Sequence, residues 1–252
     1  MTENTRIALV TGANQGIGLQ IATDLAASGL TVLLASRNPE RGEAAAQSLS
    51  GEVHPIQLDV TDEASINAAV AQVEKQFGRL DILINNAAIS RANGKESETM
   101  ESYIQRSRAS LISVDEVRAI WETNVFGVLA VTQAFLPLLR KSEAARIVNV
   151  SSGLGSLTIN STPHPYRATF NPGYGASKTA LNALTVAFAI DLEAEGIMVN
   201  AVTPGFTSTA LNNFEGTETV QQGAAEAVRI ALLGGDRPTG TFTGSVNETC
   251  PW

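Results

Sequence analysis

A glycine-rich turn between the first apolar run and the first helical stretch restricts the fold more than any other segment. Ile7-Ala8-Leu9-Val10 reads as a short strand, and Thr11-Gly12-Ala13-Asn14-Gln15-Gly16-Ile17-Gly18 follows it directly. A helical stretch then runs from about Gly16 to Ser28 and stops at Gly29, a suitable C-terminal cap. In such a strand–turn–helix unit Gly12 permits the tight turn, Gly16 lets the backbone approach a bound group, and Gly18 lets helix pack closely on strand. Asn14, Gln15 and Ile17 belong to the same turn. The helix N-terminus supplies N–H groups and a partial positive charge, so the turn is expected to hold the pyrophosphate of a dinucleotide.

The alternation continues to the end of the chain. Strands are expected at Thr31–Ala35, Val53–Val60, Leu80–Ile84, Arg146–Val150 and Ile197–Val202, with a short one near 240–243. Helices are expected at Pro39–Leu49, from a Thr61 N-cap to Phe77, at Tyr174–Glu195 and near 219–233. Ser113-Val114-Asp115-Glu116 reads as a capping box that opens a long helix, which Pro137 should bend or end near Phe135. Apolar strands alternating with amphipathic helices predict an α/β fold, a doubly wound parallel sheet covered on both faces, in a single domain spanning 1–252. No repeat, low-complexity tract or linker divides it.

Composition narrows the function classes. Twenty-five acidic against 17 basic residues give a net charge of −8, a poor match for nucleic acid or an anionic membrane. Cys250 is the only cysteine, and His54 and His164 are the only histidines, so no metal site and no Ser-His-Asp triad is expected. The polar start and the lack of an apolar run near the ~18 residues of a membrane span make the cytoplasm the default location.

Ser36-Arg37-Asn38 follows the second strand, where an acid would bind a ribose 2′-hydroxyl and repel a 2′-phosphate. No acid appears until Glu40, and Arg37 offers a planar fork to a phosphate, so NADP(H) is the expected cofactor, held there by Ser36 and Arg37.

The ordered motifs resemble those of the classical short-chain dehydrogenase/reductase family. Thr-Gly-x-x-x-Gly-x-Gly at 11–18 is similar to its cofactor motif, and Asn85-Asn86-Ala87-Ala88 to its Asn-Asn-Ala-Gly motif, with alanine in the last place. Asn124 in Asn-Val-Phe-Gly, Ser152 at the end of Val148–Ser152, Tyr174-Gly-Ala-Ser-Lys178, and Pro204-Gly205-Phe-Thr207-Ser-Thr209 resemble the remaining signatures. The resemblance implies a Rossmann-type fold and an NADPH-dependent carbonyl reductase flavour. It favours Ser152 over Ser151 as the catalytic serine, although the stretch from Ser152 to Tyr174 is longer than the family's usual spacing, which suggests an inserted loop.

Four positions separate Tyr174 from Lys178, which puts both on one helix face, about one turn apart. A free phenol has a pKa of about 10, and a neighbouring ammonium with the positive nicotinamide of an oxidised cofactor is expected to lower it. Tyr174 would then give its proton to a carbonyl oxygen during reduction, while Ser152 hydrogen-bonds the same oxygen. The resemblance implies that Lys178 holds the nicotinamide ribose and that Asn124 keeps a water in a relay from Lys178. Asp59 and Val60 should flank the adenine, and Asn86 with Ala87 the adenosine ribose. Pro204, Gly205, Thr207 and Thr209, with Val202, should contact carboxamide and phosphates.

The expected activity is NADPH-dependent reduction of a ketone or aldehyde to an alcohol. An NAD-linked alcohol dehydrogenase and a non-catalytic dinucleotide sensor are the alternatives. The substrate is a small carbonyl or alcohol, with Phe206, Leu211 and Phe214 either lining its pocket or packing in a core or lid. Two irregular stretches, Ala88–Ile112 (with Arg91, Lys95, Glu96, Glu98, Glu101, Arg106 and Arg108) and Gly153–Gly173, read as long loops. The helix after Tyr174 carries Leu181, Leu184, Val186, Phe188, Ile190 and Leu192 on several sides, which suits a homodimer or homotetramer, with a monomer as the alternative.

Overall fold

The computed structural model describes residues 5–92, 99–165, 167–234, 238–245 and 248–252. Lys95, Glu96 and Glu98 of the first irregular stretch lie outside them. Eight strands form one sheet: β1 (Ile7–Val10), β2 (Thr31–Ser36), β3 (Val53–Gln57), β4 (Ile82–Asn85), β5 (Arg146–Val150), β6 (Met198–Val202), β7 (Phe242–Gly244) and β8 (Glu248–Thr249). Their order is β3-β2-β1-β4-β5-β6-β7-β8. Every pairing is parallel except β7 with β8. The strand order reverses between β1 and β4, where such sheets open a crevice at the carboxyl ends of the strands.

Alternate strand residues build two cores, as the pleat requires. Leu9, Leu33, Leu83, Ile147 and Val199 face α3 (Glu63–Phe77), α6 (Gly127–Leu139) and α8 (Tyr174–Asp191). Val10, Leu34, Ile84, Val148 and Val202 face α1 (Gly16–Ala27), α2 (Pro39–Gln47) and α9 (Val220–Leu232). The expected doubly wound architecture is thus present, with helices on both faces.

Several local expectations are corrected. Asp62, not Thr61, caps α3 by accepting from Ala64 N–H at 2.9 Å. Thr61 is already engaged, because both its N–H and its hydroxyl donate to Asp59 Oδ1. Pro137 does not end its helix, since α6 continues to Leu139. Pro137 falls in the last turn, and burial of Phe135, Leu138 and Leu139 outweighs the one missing hydrogen bond. The long helix is really α5 (Val114–Trp121), a single π-helical turn at Glu122–Phe126, and then α6. This run, Val114–Leu139, contains an 18-residue window with the mean hydropathy (1.3) of a membrane span, but half of that window is buried inside the protein.

The two irregular stretches are partly helical. The first contains α4 (Met100–Arg106), and the second contains α7 (Leu157–Ser161) between two short 3-10 turns. On α8, Leu181 and Phe188 are in the core, as is Leu192 just beyond it, whereas Ile190 is 70% exposed.

Candidate active site

A cleft of about 710 Å³ opens at the sheet's reversal point, beneath the glycine turn. Gly12 and Gly16 have φ of 62° and 59°, left-handed values that favour glycine. A Cβ on Gly18 would stand 2.6 Å from the Gly12 carbonyl, so the helix could not pack here with any side chain. Asn86 braces the turn by donating from Nδ2 to the Thr11 and Gly12 carbonyls, at 2.9 and 3.2 Å. Thr11 Oγ1 accepts from the Asn86 and Ala87 N–H groups, both at 3.0 Å. Helix α1 begins after Gln15 with no side-chain cap and no acid in its first turn. Its leading N–H groups are therefore open to an anion, which fits a dinucleotide pyrophosphate.

At the other end of the cleft stand Tyr174 and Lys178, on the first turns of α8. Asn171 fixes the start of that helix: its Oδ1 accepts from Tyr174 N–H at 2.9 Å, and its carbonyl from Ala176 N–H at 3.0 Å. Gly175 lets the Phe170 ring approach, since a Cβ there would meet it at 2.7 Å. Lys178 Nζ lies 5.7 Å from the Tyr174 ring centre and donates to the Val150 carbonyl at 2.8 Å.

Burial holds the Tyr174 phenol up at about 12, and a hydrogen bond from Ser152 only partly offsets this. Burial also pushes the Lys178 ammonium down to about 7. Burial, the larger cause, holds the phenol above its ordinary value, and no lowering by Lys178 accompanies it. Desolvation penalises both charged forms, and a lysine near neutrality has little charge to lend.

The two serines have different partners. Ser151 borders the cleft, but its hydroxyl donates to Asn182 Oδ1 at 2.6 Å. Ser152 Oγ accepts from Leu154 N–H at 3.2 Å and stands near enough to Tyr174 to lower its phenol, although it does not line the cleft itself. Asn124 is fully buried within the π-turn. Its side chain pairs with both backbone groups of Ile89 at 2.9 Å and with Ser177 Oγ at 3.0 Å.

The cleft brings together Gly12, Asn14, Gln15, Gly16, Ile17, Gly18, Arg37, Asp59, Val60, Asn86, Ala87, Tyr174, Lys178, Pro204 and Thr209. Ser36 is not among its lining residues, because its hydroxyl is buried and donates to the Asn38 carbonyl at 2.9 Å. Gly205 and Thr207 also stand off it, Thr207 donating to the Pro204 carbonyl at 2.8 Å, and Val202 is in the core. Of the three apolar candidates, Leu211 and Phe214 border the cleft and Phe206 does not. Sequence reasoning missed Asn171 and Arg91. An asparagine three residues before a helix-opening tyrosine is a legible capping signal, whereas nothing local marks Arg91.

The family model described as short chain dehydrogenase matches residues 6–219. A relative named short-chain dehydrogenase anuI, from Penicillium roqueforti (strain FM164), is 40% identical over 238 residues, covering 90% of this chain and 89% of its own. The structure of salutaridine reductase from Papaver somniferum superposes with a TM-score of 0.78 at 30% identity, over 95% of this chain and 99% of that one. NADPH-bound carbonyl reductase from chicken fatty liver gives a TM-score of 0.79 at 28% identity, over 99% of this chain and 100% of that one.

Proposed function

The chain belongs to the short-chain dehydrogenase family, and from that premise we propose that it is an NADPH-dependent reductase of a ketone or aldehyde. The observation that carries this reading is the placement of Tyr174 and Lys178 together on the wall of the cleft that the glycine turn caps, with Ser152 close enough to lower the phenol. The hydride for the carbonyl carbon would come from NADPH when it is bound. Tyr174, a phenol kept protonated at neutral pH, gives its proton to the carbonyl oxygen. Ser152 donates a hydrogen bond to the same oxygen as negative charge builds there. Lys178, which donates to the Val150 carbonyl, would hold the ribose hydroxyls, and its charged form would ease proton loss from Tyr174. A phenol held at about 12 is protonated near neutral pH, the form that a proton donor requires.

Arg37 borders the cleft and forms no ion pair among the described residues. The neighbouring acid, Glu40, is exposed in the first turn of α2. This arrangement suits a 2′-phosphate and supports NADPH over NADH.

The test is to mix the purified protein with NADPH or NADH and a panel of aldehydes, ketones and quinones, and follow loss of reduced-cofactor absorbance. Tyr174→Phe should abolish turnover and leave NADPH binding within about twofold, because only the reacting hydroxyl is removed. Turnover that survives would show that another group is the acid. Arg37→Asp should weaken NADPH use by at least about tenfold relative to NADH. An unchanged preference would favour the NAD-linked alternative.

A further inference from the structure

Arg91 follows β4 in the segment Ala88-Ile89-Ser90-Arg91-Ala92, which is held from several sides. Asn124 pairs with both backbone groups of Ile89, and the Tyr103 hydroxyl donates to the Ser90 carbonyl. Ser90 Oγ donates to the Leu211 carbonyl at 2.8 Å, and the Glu116 carboxylate accepts from Ala92 N–H at 2.9 Å. Arg91 itself donates from Nη2 to Asn213 Oδ1. Asn213 and Phe214 have φ of 54° and 62°, left-handed values uncommon for side-chain-bearing residues, and adjacent here. Two bonds thus clasp the β4 loop to the 211–214 turn across the cleft.

The clasp leaves one atom unanswered. Arg91 Nη1 is buried and has no acceptor among the described residues. Glu116, the acid that holds the segment, lies 3.7 Å from Arg106. Arg91 as a whole is half-buried, and a partly desolvated guanidinium whose hydrogen-bond partner is a neutral amide gains from an anion that completes it. Its planar fork matches a carboxylate. The phosphate end of the cleft lies at Gly16, where an added Cβ would meet the Thr209 methyl at 3.6 Å. Arg91 instead pairs beyond Thr209, in a segment pinned by Asn124, whose other partner, Ser177, immediately precedes Lys178. Leu211 and the 69% exposed Phe214 add apolar surface beside it.

We propose that Arg91 is a specificity-determining residue that binds a carboxylate carried by the substrate, so that the substrate is a carbonyl acid with an apolar body. This rests on the reading of the Tyr174 end of the cleft as the reacting end. The test titrates the NADP⁺-loaded full chain with cyclohexanecarboxylate and, separately, with the neutral cyclohexylmethanol, by calorimetry. The wild type should bind the carboxylate at least about tenfold more tightly than the alcohol, as a charge-assisted pair requires. Arg91→Met should erase that preference and leave alcohol binding and NADPH affinity within about twofold. Arg91→Lys, which keeps the charge but not the fork, should fall between them and covers the case in which Arg91→Met does not fold.

Equal binding of both probes by the wild type would overturn the proposal. So would a carboxylate preference that survives Arg91→Met, or survives undiminished in Arg91→Lys. Weakened NADPH binding in either variant would do the same, by assigning the fork to the cofactor's phosphates. The catalytic reading fails separately: it falls if Tyr174→Phe retains turnover, and that result does not alter the carboxylate titration.

Discussion

Lys178→Met is expected to stabilise the cofactor-free protein while removing its turnover. Lys178 is 3% exposed, and burial lowers its ammonium from 10.5 to about 7. At about 1.36 kcal/mol per pH unit, that gap corresponds to roughly 5 kcal/mol of cost at pH values where both folded and unfolded forms are charged. The hydrogen bond to Val150 is lost in the variant, which returns about 1–2 kcal/mol. A net gain of about 2–4 kcal/mol for Lys178→Met at pH 7 remains. Between pH 7 and 10.5 the unfolded chain holds the lysine proton more tightly than the folded one. Wild-type stability should therefore rise with pH across that window, by up to about 1.4 kcal/mol per pH unit, and lose this contribution as pH falls towards 7.

Tyr174 stays protonated in both states below pH 10, and Cys250, raised from 9 by burial, opposes the trend only from about pH 9 upward. Urea unfolding of the cofactor-free protein at pH 7, 8 and 9 is the assay. The wild type should gain about 2–3 kcal/mol over that range, and the variant should show no such slope. A flat wild-type profile, or the same slope in both proteins, would refute the claim that burial drives the lysine towards neutrality.

Two further predictions concern the ends of the cleft. Gly18→Ala places a methyl 2.6 Å from the Gly12 carbonyl and 3.1 Å from Ala13 Cα, so α1 must shift. It should cost about 1–3 kcal/mol in urea unfolding and weaken NADPH binding at least about tenfold in a fluorescence titration; unchanged affinity would mean that the turn does not hold the phosphates. Asn171→Ala removes the acceptor for Tyr174 N–H and should lower kcat about tenfold with NADPH affinity intact. A matching rise in KM with unchanged kcat would show that Asn171 does not position the tyrosine.

The order of strands and helices was legible in the chain because it rests on local physics. Apolar runs, helical periodicity and terminal caps are short-range signals, and they give β1 to β7 and most of the helices to within a few residues. Gly12 and Gly16 announce a left-handed turn, and the four-residue step from Tyr174 to Lys178 fixes a shared helix face wherever the helix lies. The two-residue β8 carries too little pattern to be read, and its antiparallel pairing exists only because β7 is there to receive it.

Contacts between distant segments made the remaining choices. Thr61 and Asp62 are both good caps, and the Asp59 carboxylate decides by engaging Thr61. Asn182 engages the Ser151 hydroxyl, while Ser152 stands near enough to Tyr174 to lower its phenol. Arg91 meets Asn213 across 122 positions of chain, a separation over which sequence pattern carries no signal. Sequence could state that a tyrosine and a lysine share a face. Only the folded interior, by withdrawing water from both, determines that the phenol is held up and the ammonium down.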